Sequence, residues 1–266
     1  MKDITDQDKK NNIPLVCAAK PWHTGHIFIA GPCTVESYKQ MDTVVTGLKT
    51  YDINYIRGGA YKPLTFPYRN KDMYELGEKA LDIFDKIKSK HDNVAIVSEL
   101  THVRDHDRFV KTVDVIQVGS RNMYNYELLE CVSNSNKPVL LKRHFGASLR
   151  DWLGAAEYVL QNNSRVILCE RGITAPHTHQ ATSRFIADIQ VIPVVKKYTG
   201  LPIIFDPSHS TFDRSIVPAM SRAAMSAGAD GLLVETHPNP EKAAVDRLNA
   251  ITIENCGWLF QTINKR

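Results

Sequence analysis

The segment PIIFDPSH, residues 202–209, runs from an apolar stretch without polar alternation straight onto a carboxylate and an imidazole, Asp206 and His209. Seven other short apolar segments recur along the chain, nearly all ending on, or closely followed by, a residue able to bind an anion or a metal: HIFIAG (26–31), NYIRGG (54–59), VAIVSE (94–99), VIQVGS (115–120), PVLLKR (138–143), VILCER (166–171) and GLLVETH (231–237). Short unbroken apolar runs suit strands buried on both faces of a parallel sheet better than half-exposed antiparallel ones. Eight of them alternating with helices predict an α/β protein, a closed (β/α)8 TIM barrel, for which about 250 residues is usual. Residues 26–266 form that single domain in this reading. Residues 1–25, polar and irregular, form an N-terminal extension that is disordered or covers a partner.

The segments between the strands carry helical patterns. In 74–91, Leu76, Ala80, Leu81, Phe84 and Ile87 fall on one stripe. Ser148 followed by Asp151 resembles a capping box that opens a helix burying Trp152, Leu153, Ala156, Val159 and Leu160. Further helices are expected around 216–227 and 240–250, and the HVRDH segment at 102–106 reads as the exposed start of another.

With 43% hydrophobic residues and no linker-like stretch, the chain can bury one large core. No signal-peptide pattern and no apolar run near the roughly 18 residues of a membrane span occur, so a soluble cytoplasmic protein is expected, with no membrane partner. Five cysteines without paired short spacing fit a reducing compartment. The net charge of +4 comes from dispersed basic residues, which argues against nucleic acid and for small anionic substrates.

TIM barrels place their chemistry at the carboxyl ends of the strands. Arg57, Arg121, Lys142 and Arg171 follow directly on apolar runs, and Lys62 lies five residues beyond Arg57 after a Gly-Gly turn. One strand-end Arg is commonly a salt-bridge partner. Five cations on one rim are costly unless an anion joins them, so the expected ligand carries phosphate and carboxylate. A metal site is expected from Cys33, His209, Glu235 and Asp246: strands 1, 7 and 8 are neighbours in a closed barrel, although the spacing alone resembles no zinc motif. Mixed sulfur, nitrogen and oxygen donors suit a divalent ion such as Mn, Fe, Co or Zn better than Ca or Mg. Cys33 alone would read as a small buried hydrophobe. His177 and His179 read as a solvated or substrate-facing loop rather than a second metal site.

The motifs GPCTVE (31–36), RGGAYKP (57–63), QVGSRN (117–122), KPVLLKR (137–143), VILCERGI (166–173), DPSHS (206–210) and ADGLLVETHPNPEKA (229–243) closely resemble those of the 3-deoxy-arabino-heptulosonate 7-phosphate (DAHP) synthases, short microbial type. The sister 3-deoxy-octulosonate 8-phosphate synthases match less well, reading KANRSS where this chain reads KPLTFP. The resemblance implies an aldol-type condensation. C3 of phosphoenolpyruvate attacks an aldehyde, water adds at C2, and phosphate leaves by C–O cleavage to give a 3-deoxy-2-keto acid. It implies metal ligation by Cys33, His209, Glu235 and Asp246. Arg57, Lys62, Arg121, Lys142 and Arg171 are implied around phosphoenolpyruvate, with Lys62, Cys33 and His209 as catalytic groups and Glu99 able to position water. It also implies a homo-oligomer.

Four loops depart from the family's pattern. KPRTSP becomes Lys62-Pro63-Leu64-Thr65-Phe66-Pro67, which places Leu64, Thr65 and Phe66 where the acceptor phosphate is received. RGIRTFE becomes RGITAPH, a GGRR-like run becomes Thr211-Phe212-Asp213-Arg214, and a GMS-type turn becomes His144-Phe145-Gly146. A charge-assisted phosphate contact contributes about 1.5–3 kcal/mol, so losing one weakens a phosphorylated acceptor roughly ten- to hundred-fold. The expected acceptor is therefore an aldehyde other than erythrose 4-phosphate, unphosphorylated and partly apolar. Against this stand an ordinary DAHP synthase that replaces the lost contacts with Arg69, Lys71 or Arg214, a Schiff-base aldolase using Lys142 or Lys62, and a non-catalytic binding barrel.

Overall fold

A computed structural model describes residues 14–62, 75–175 and 185–264. Eight parallel strands close into a barrel in sequence order: β1 (Ile27–Gly31), β2 (Tyr55–Arg57), β3 (Ala95–Glu99), β4 (Val115–Val118), β5 (Val139–Lys142), β6 (Val166–Glu170), β7 (Ile203–Phe205) and β8 (Gly231–Glu235). The fold is the (β/α)8 TIM barrel. Alternate strand residues explain the lack of polar alternation. Ile27, Ile29, Val97, Leu140, Ile167 and Leu233 pack in the interior cluster, while Phe28, Ala30, Ile56, Ile96, Ile116 and Leu141 pack with the helices in a second, larger core. No helix among the described residues is long and apolar enough to cross a membrane.

Closure between β8 and β1 sets the site. Their register pairs Gly31 with Glu235, so the loop that leaves β1 begins beside the last residue of β8. Gly31 also allows β1 and β2 to approach: its φ is +148°, and a Cβ there would lie 2.1 Å from the Arg57 carbonyl oxygen.

The helices follow the expected pattern, with one exception. Glu78–Lys90 buries Ala80, Leu81, Phe84 and Ile87. Leu149–Leu160 opens on a complete capping box between Ser148 and Asp151. Val217–Ser226 follows β7. The expected helix at 240–250 is absent: only the single 3-10 turn Pro240–Lys242 forms there, and the last helix is Ile253–Asn264. Residues 243–250 are instead a loop that returns Ile251 to pair with Thr236 at the barrel rim.

Within the N-terminal extension, residues 14–25 lie against the barrel. Leu15 and Val16 are buried, and their backbone N–H groups donate to the Glu157 carboxylate at 3.0 and 2.7 Å. Trp22 packs on the interior cluster and donates from Nε1 to the Val166 carbonyl at 3.1 Å, at the start of β6.

Candidate active site at the carboxyl end of the barrel

Cys33 leaves β1, Glu235 ends β8, His209 lies in the short helix Pro207–Thr211 after β7, and Asp246 sits on the 243–250 loop at φ +55°. One donor atom from each lies within 4.8 Å of those of the other three. Cys33 Sγ donates to Asp246 Oδ2 at 2.9 Å, and His209 Nε2 is 3.2 Å from Glu235 Oε1. Burial, then Glu235, push the Cys33 thiol well above its ordinary range, with Lys62 opposing. Glu235 Oε2 is fully buried and has no hydrogen-bond partner among the described residues. A buried carboxylate oxygen without a donor is costly. A cation held among these four groups would satisfy it, and their sulfur, imidazole and carboxylate donors fit a divalent ion.

Asp206 organises the imidazole. Its Oδ1 accepts the His209 backbone N–H at 2.9 Å, and its Oδ2 lies 2.7 Å from His209 Nδ1 and 2.6 Å from Lys142 Nζ. Burial alone would raise this carboxyl, but His209 and Lys142 hold it well below the usual range. An ionised Asp206 fixes the His209 proton on Nδ1 and leaves an unprotonated Nε2 that could donate to a cation. Sequence reading placed Asp206 at the rim without giving it this task; the signal was the Asp-Pro-Ser-His spacing, which puts an N-cap carboxylate three residues before the imidazole. Asp206→Asn removes the charge shared by Lys142 and His209, and should weaken divalent-ion affinity about 10–100-fold, as measured by competition with a chromogenic chelator.

A second latch also escaped sequence reading. Glu36 Oε1 accepts the Ala244 backbone N–H at 2.8 Å and lies 3.4 Å from His237 Nε2. It ties the loop bearing Asp246 to the loop bearing Cys33.

The rim cations are answered by neighbouring groups. Arg57 Nη1 meets Glu235 Oε1 at 3.0 Å, Lys142 meets Asp206, and Lys62 Nζ is 2.6 Å from Cys33 Sγ. Burial would pull the Lys62 ammonium down, but Cys33, Asp246 and Glu235 together hold it up. Counting cations without their partners therefore overstated the unmet charge. Arg171 is buried with its guanidinium 4.1 Å from the Phe185 ring centroid, and Arg121 is exposed in the 3-10 turn Ser120–Asn122. Arg143 is held by Glu170 and Asp188, at 3.0 and 2.7 Å. Glu99 accepts from Gln117 Nε2 at 2.9 Å and lines a small cavity with Cys33, Arg57 and Lys62. Leu64, Thr65 and Phe66, together with His177 and His179, lie outside the described residues.

Residues 23–264 match the DAHP synthetase I family. The chain belongs to that family. Over 238 residues it is 39% identical to the phospho-2-dehydro-3-deoxyheptonate aldolase of Thermotoga maritima, covering 89% of this chain and 68% of that protein. A crystal structure of the Thermotoga maritima DAHP synthase superposes with a TM-score of 0.83 at 38% identity, over 91% of this chain and 69% of the other. A truncated form of the Thermotoga maritima synthase gives a TM-score of 0.80 at 37% identity and covers 90% and 86%. A 2-dehydro-3-deoxyphosphooctonate aldolase of Francisella tularensis is 28% identical over 84% of both chains. As a member of the DAHP synthetase I family, the chain is an enzyme of the phosphoenolpyruvate-dependent, carbon–carbon bond-forming class, and the cluster of Cys33, His209, Glu235 and Asp246 agrees with that family's divalent-metal dependence.

Proposed function

We propose that this enzyme condenses phosphoenolpyruvate with an unphosphorylated, partly apolar aldehyde rather than erythrose 4-phosphate, releasing phosphate and forming a 3-deoxy-2-keto acid. The observation that carries the chemistry is the meeting of Cys33, His209, Glu235 and Asp246 within 4.8 Å, with Lys62 Nζ 2.6 Å from the thiol and Arg57 alongside. A divalent ion of the Mn, Fe, Co or Zn group, bound by those four side chains, would supply Lewis acidity to the aldehyde carbonyl.

The protein's own groups divide the remaining work. With Glu235 and Asp246 committed to a cation, Arg57 and Lys62 are left to an anion. Arg57 offers a planar fork for the phosphoenolpyruvate carboxylate, while Arg121, Lys142 and Arg171 face its phosphoryl group. Lys62 holds a proton close to the reacting carbons and delivers it to the oxygen that gains negative charge as the new C–C bond forms. Glu99, oriented by Gln117, receives the water that adds at C2.

The acceptor assignment rests on the rim. Phe145, Phe185 and Phe212, on the loops after β5, β6 and β7, form a partly exposed row, with ring centroids 5.6 and 6.3 Å apart. Arg214, a candidate replacement for the missing phosphate contacts, is engaged by Glu241 at 2.7 Å and by the Arg247 carbonyl. Steady-state rates with phosphoenolpyruvate and a panel of aldehydes test this. An unphosphorylated aldehyde should exceed erythrose 4-phosphate in kcat/KM by at least about tenfold, the loss expected for one missing charged contact. Efficient turnover of erythrose 4-phosphate would make the enzyme an ordinary DAHP synthase. In the same reading it acts as a cytoplasmic homo-oligomer.

A further inference from the structure

The turn after β5 carries an imidazole whose surroundings suit one ligand chemistry. His144 is stacked on Phe145, ring centroids 4.2 Å apart, and faces Tyr124 at 5.3 Å. Its backbone N–H meets Met123 Sδ at 3.2 Å, which pins it to the loop that bears Arg121. The Phe145 carbonyl accepts the Thr174 N–H at 2.8 Å, which pins the same turn to the loop that bears Arg171. His144 thus stands on a bridge between the two guanidinium-bearing loops.

Its hydrogen bonding fixes the proton. The Gly146 backbone N–H donates to Nδ1 at 3.0 Å, so in the neutral ring the proton is on Nε2. Among the described residues no acceptor meets that Nε2–H. The carboxylates on the adjoining elements are engaged elsewhere: Glu170 and Asp188 hold Arg143, Asp206 holds Lys142, and Asp151 caps its helix beside the Tyr124 hydroxyl. Burial, then the charges of Arg171 and Arg121, push the ring below its ordinary range. A half-buried donor beside two guanidinium groups is matched by an anion.

We propose that His144 is a further contact to the phosphoryl group of phosphoenolpyruvate, added by this chain to Arg121, Lys142 and Arg171. The inference rests on the phosphoenolpyruvate reading above. A bound phosphoryl dianion reverses the field at the ring, so the imidazole gains a proton from solvent at Nδ1 as the ligand binds, and the exposed Gly146 N–H turns to water. Affinity for phosphoenolpyruvate then increases as pH falls through the ring's range, the opposite of what protonation of the ligand's own phosphate would give.

The test is an NMR titration of the His144 ring in the full, metal-loaded chain, with and without phosphoenolpyruvate, and with pyruvate as the control that lacks the phosphoryl group. The ring's pKa should rise with phosphoenolpyruvate and stay in place with pyruvate. An unchanged pKa in the presence of bound phosphoenolpyruvate overturns the assignment, and this readout needs no variant to fold. His144→Phe keeps the stack and removes the donor; it should raise the phosphoenolpyruvate dissociation constant about tenfold, with His144→Gln recovering most of the loss through its amide N–H. Calorimetry on the wild-type protein separates the two claims. If phosphoenolpyruvate does not bind at all, the functional reading itself fails; if it binds with the ring indifferent, only the role of His144 does.

Discussion

Replacing Cys33 with alanine should empty the metal site and remove condensation activity, with a loss on the order of a thousandfold or more in kcat/KM. The thiol is the one soft donor among the four clustered side chains, and the other three are held by partners that do not compensate for it. His209 is fixed through Asp206, Glu235 through Arg57, and Asp246 by a loop at positive φ. None can move into the gap without breaking a buried contact. Metal content by atomic emission, measured on the same preparation as the rate, should fall together with activity. A Cys33→Ala protein that keeps a stoichiometric ion but loses the reaction would make the thiol a chemical participant and not a ligand.

Lys62→Met should give the second largest effect, a fall in kcat of roughly a hundred- to ten-thousand-fold, with the ion retained. Methionine fills the space of the alkyl stem and removes only the ammonium that lies 2.6 Å from the thiol. Lys62→Arg should not rescue the rate: a guanidinium keeps the charge, but holds its proton too tightly to pass it on and presents a planar fork where a point donor is needed. Steady-state rates alongside metal analysis check both variants. Near-normal turnover in Lys62→Met would move the proton to another carrier.

Much of this molecule is legible in the chain because its strands are buried on both faces. Each apolar run then stands out whole, and in-order closure makes strands 1, 7 and 8 neighbours, so Cys33, His209 and Glu235 can be brought together before any coordinate is known. The 240–250 segment misleads for a physical reason. Ala243, Ala244 and Leu248 recur at helical intervals, yet Asp246 has to reach the cluster, and the chain adopts φ +55° there instead of a helix; tertiary demand overrides local pattern. Residues 14–25 are harder to read because composition averages them with their neighbours. Their polar composition hides the run Pro14-Leu15-Val16-Cys17-Ala18 and Trp22, which lie against the barrel. Sequence also cannot show which charges answer one another: the pairing of Lys142 with Asp206, or of Arg57 with Glu235, joins residues 64 and 178 positions apart.

The most direct measurement is phosphate release from phosphoenolpyruvate by the purified enzyme with an accepted aldehyde, before and after chelation, with borohydride added in a parallel reaction. Release should require the aldehyde, stop on chelation, return with a first-row divalent ion, and leave no reduced adduct on Lys62 or Lys142. Release that continues after the ion is stripped, or a substrate trapped on either lysine by borohydride, would contradict this chemistry.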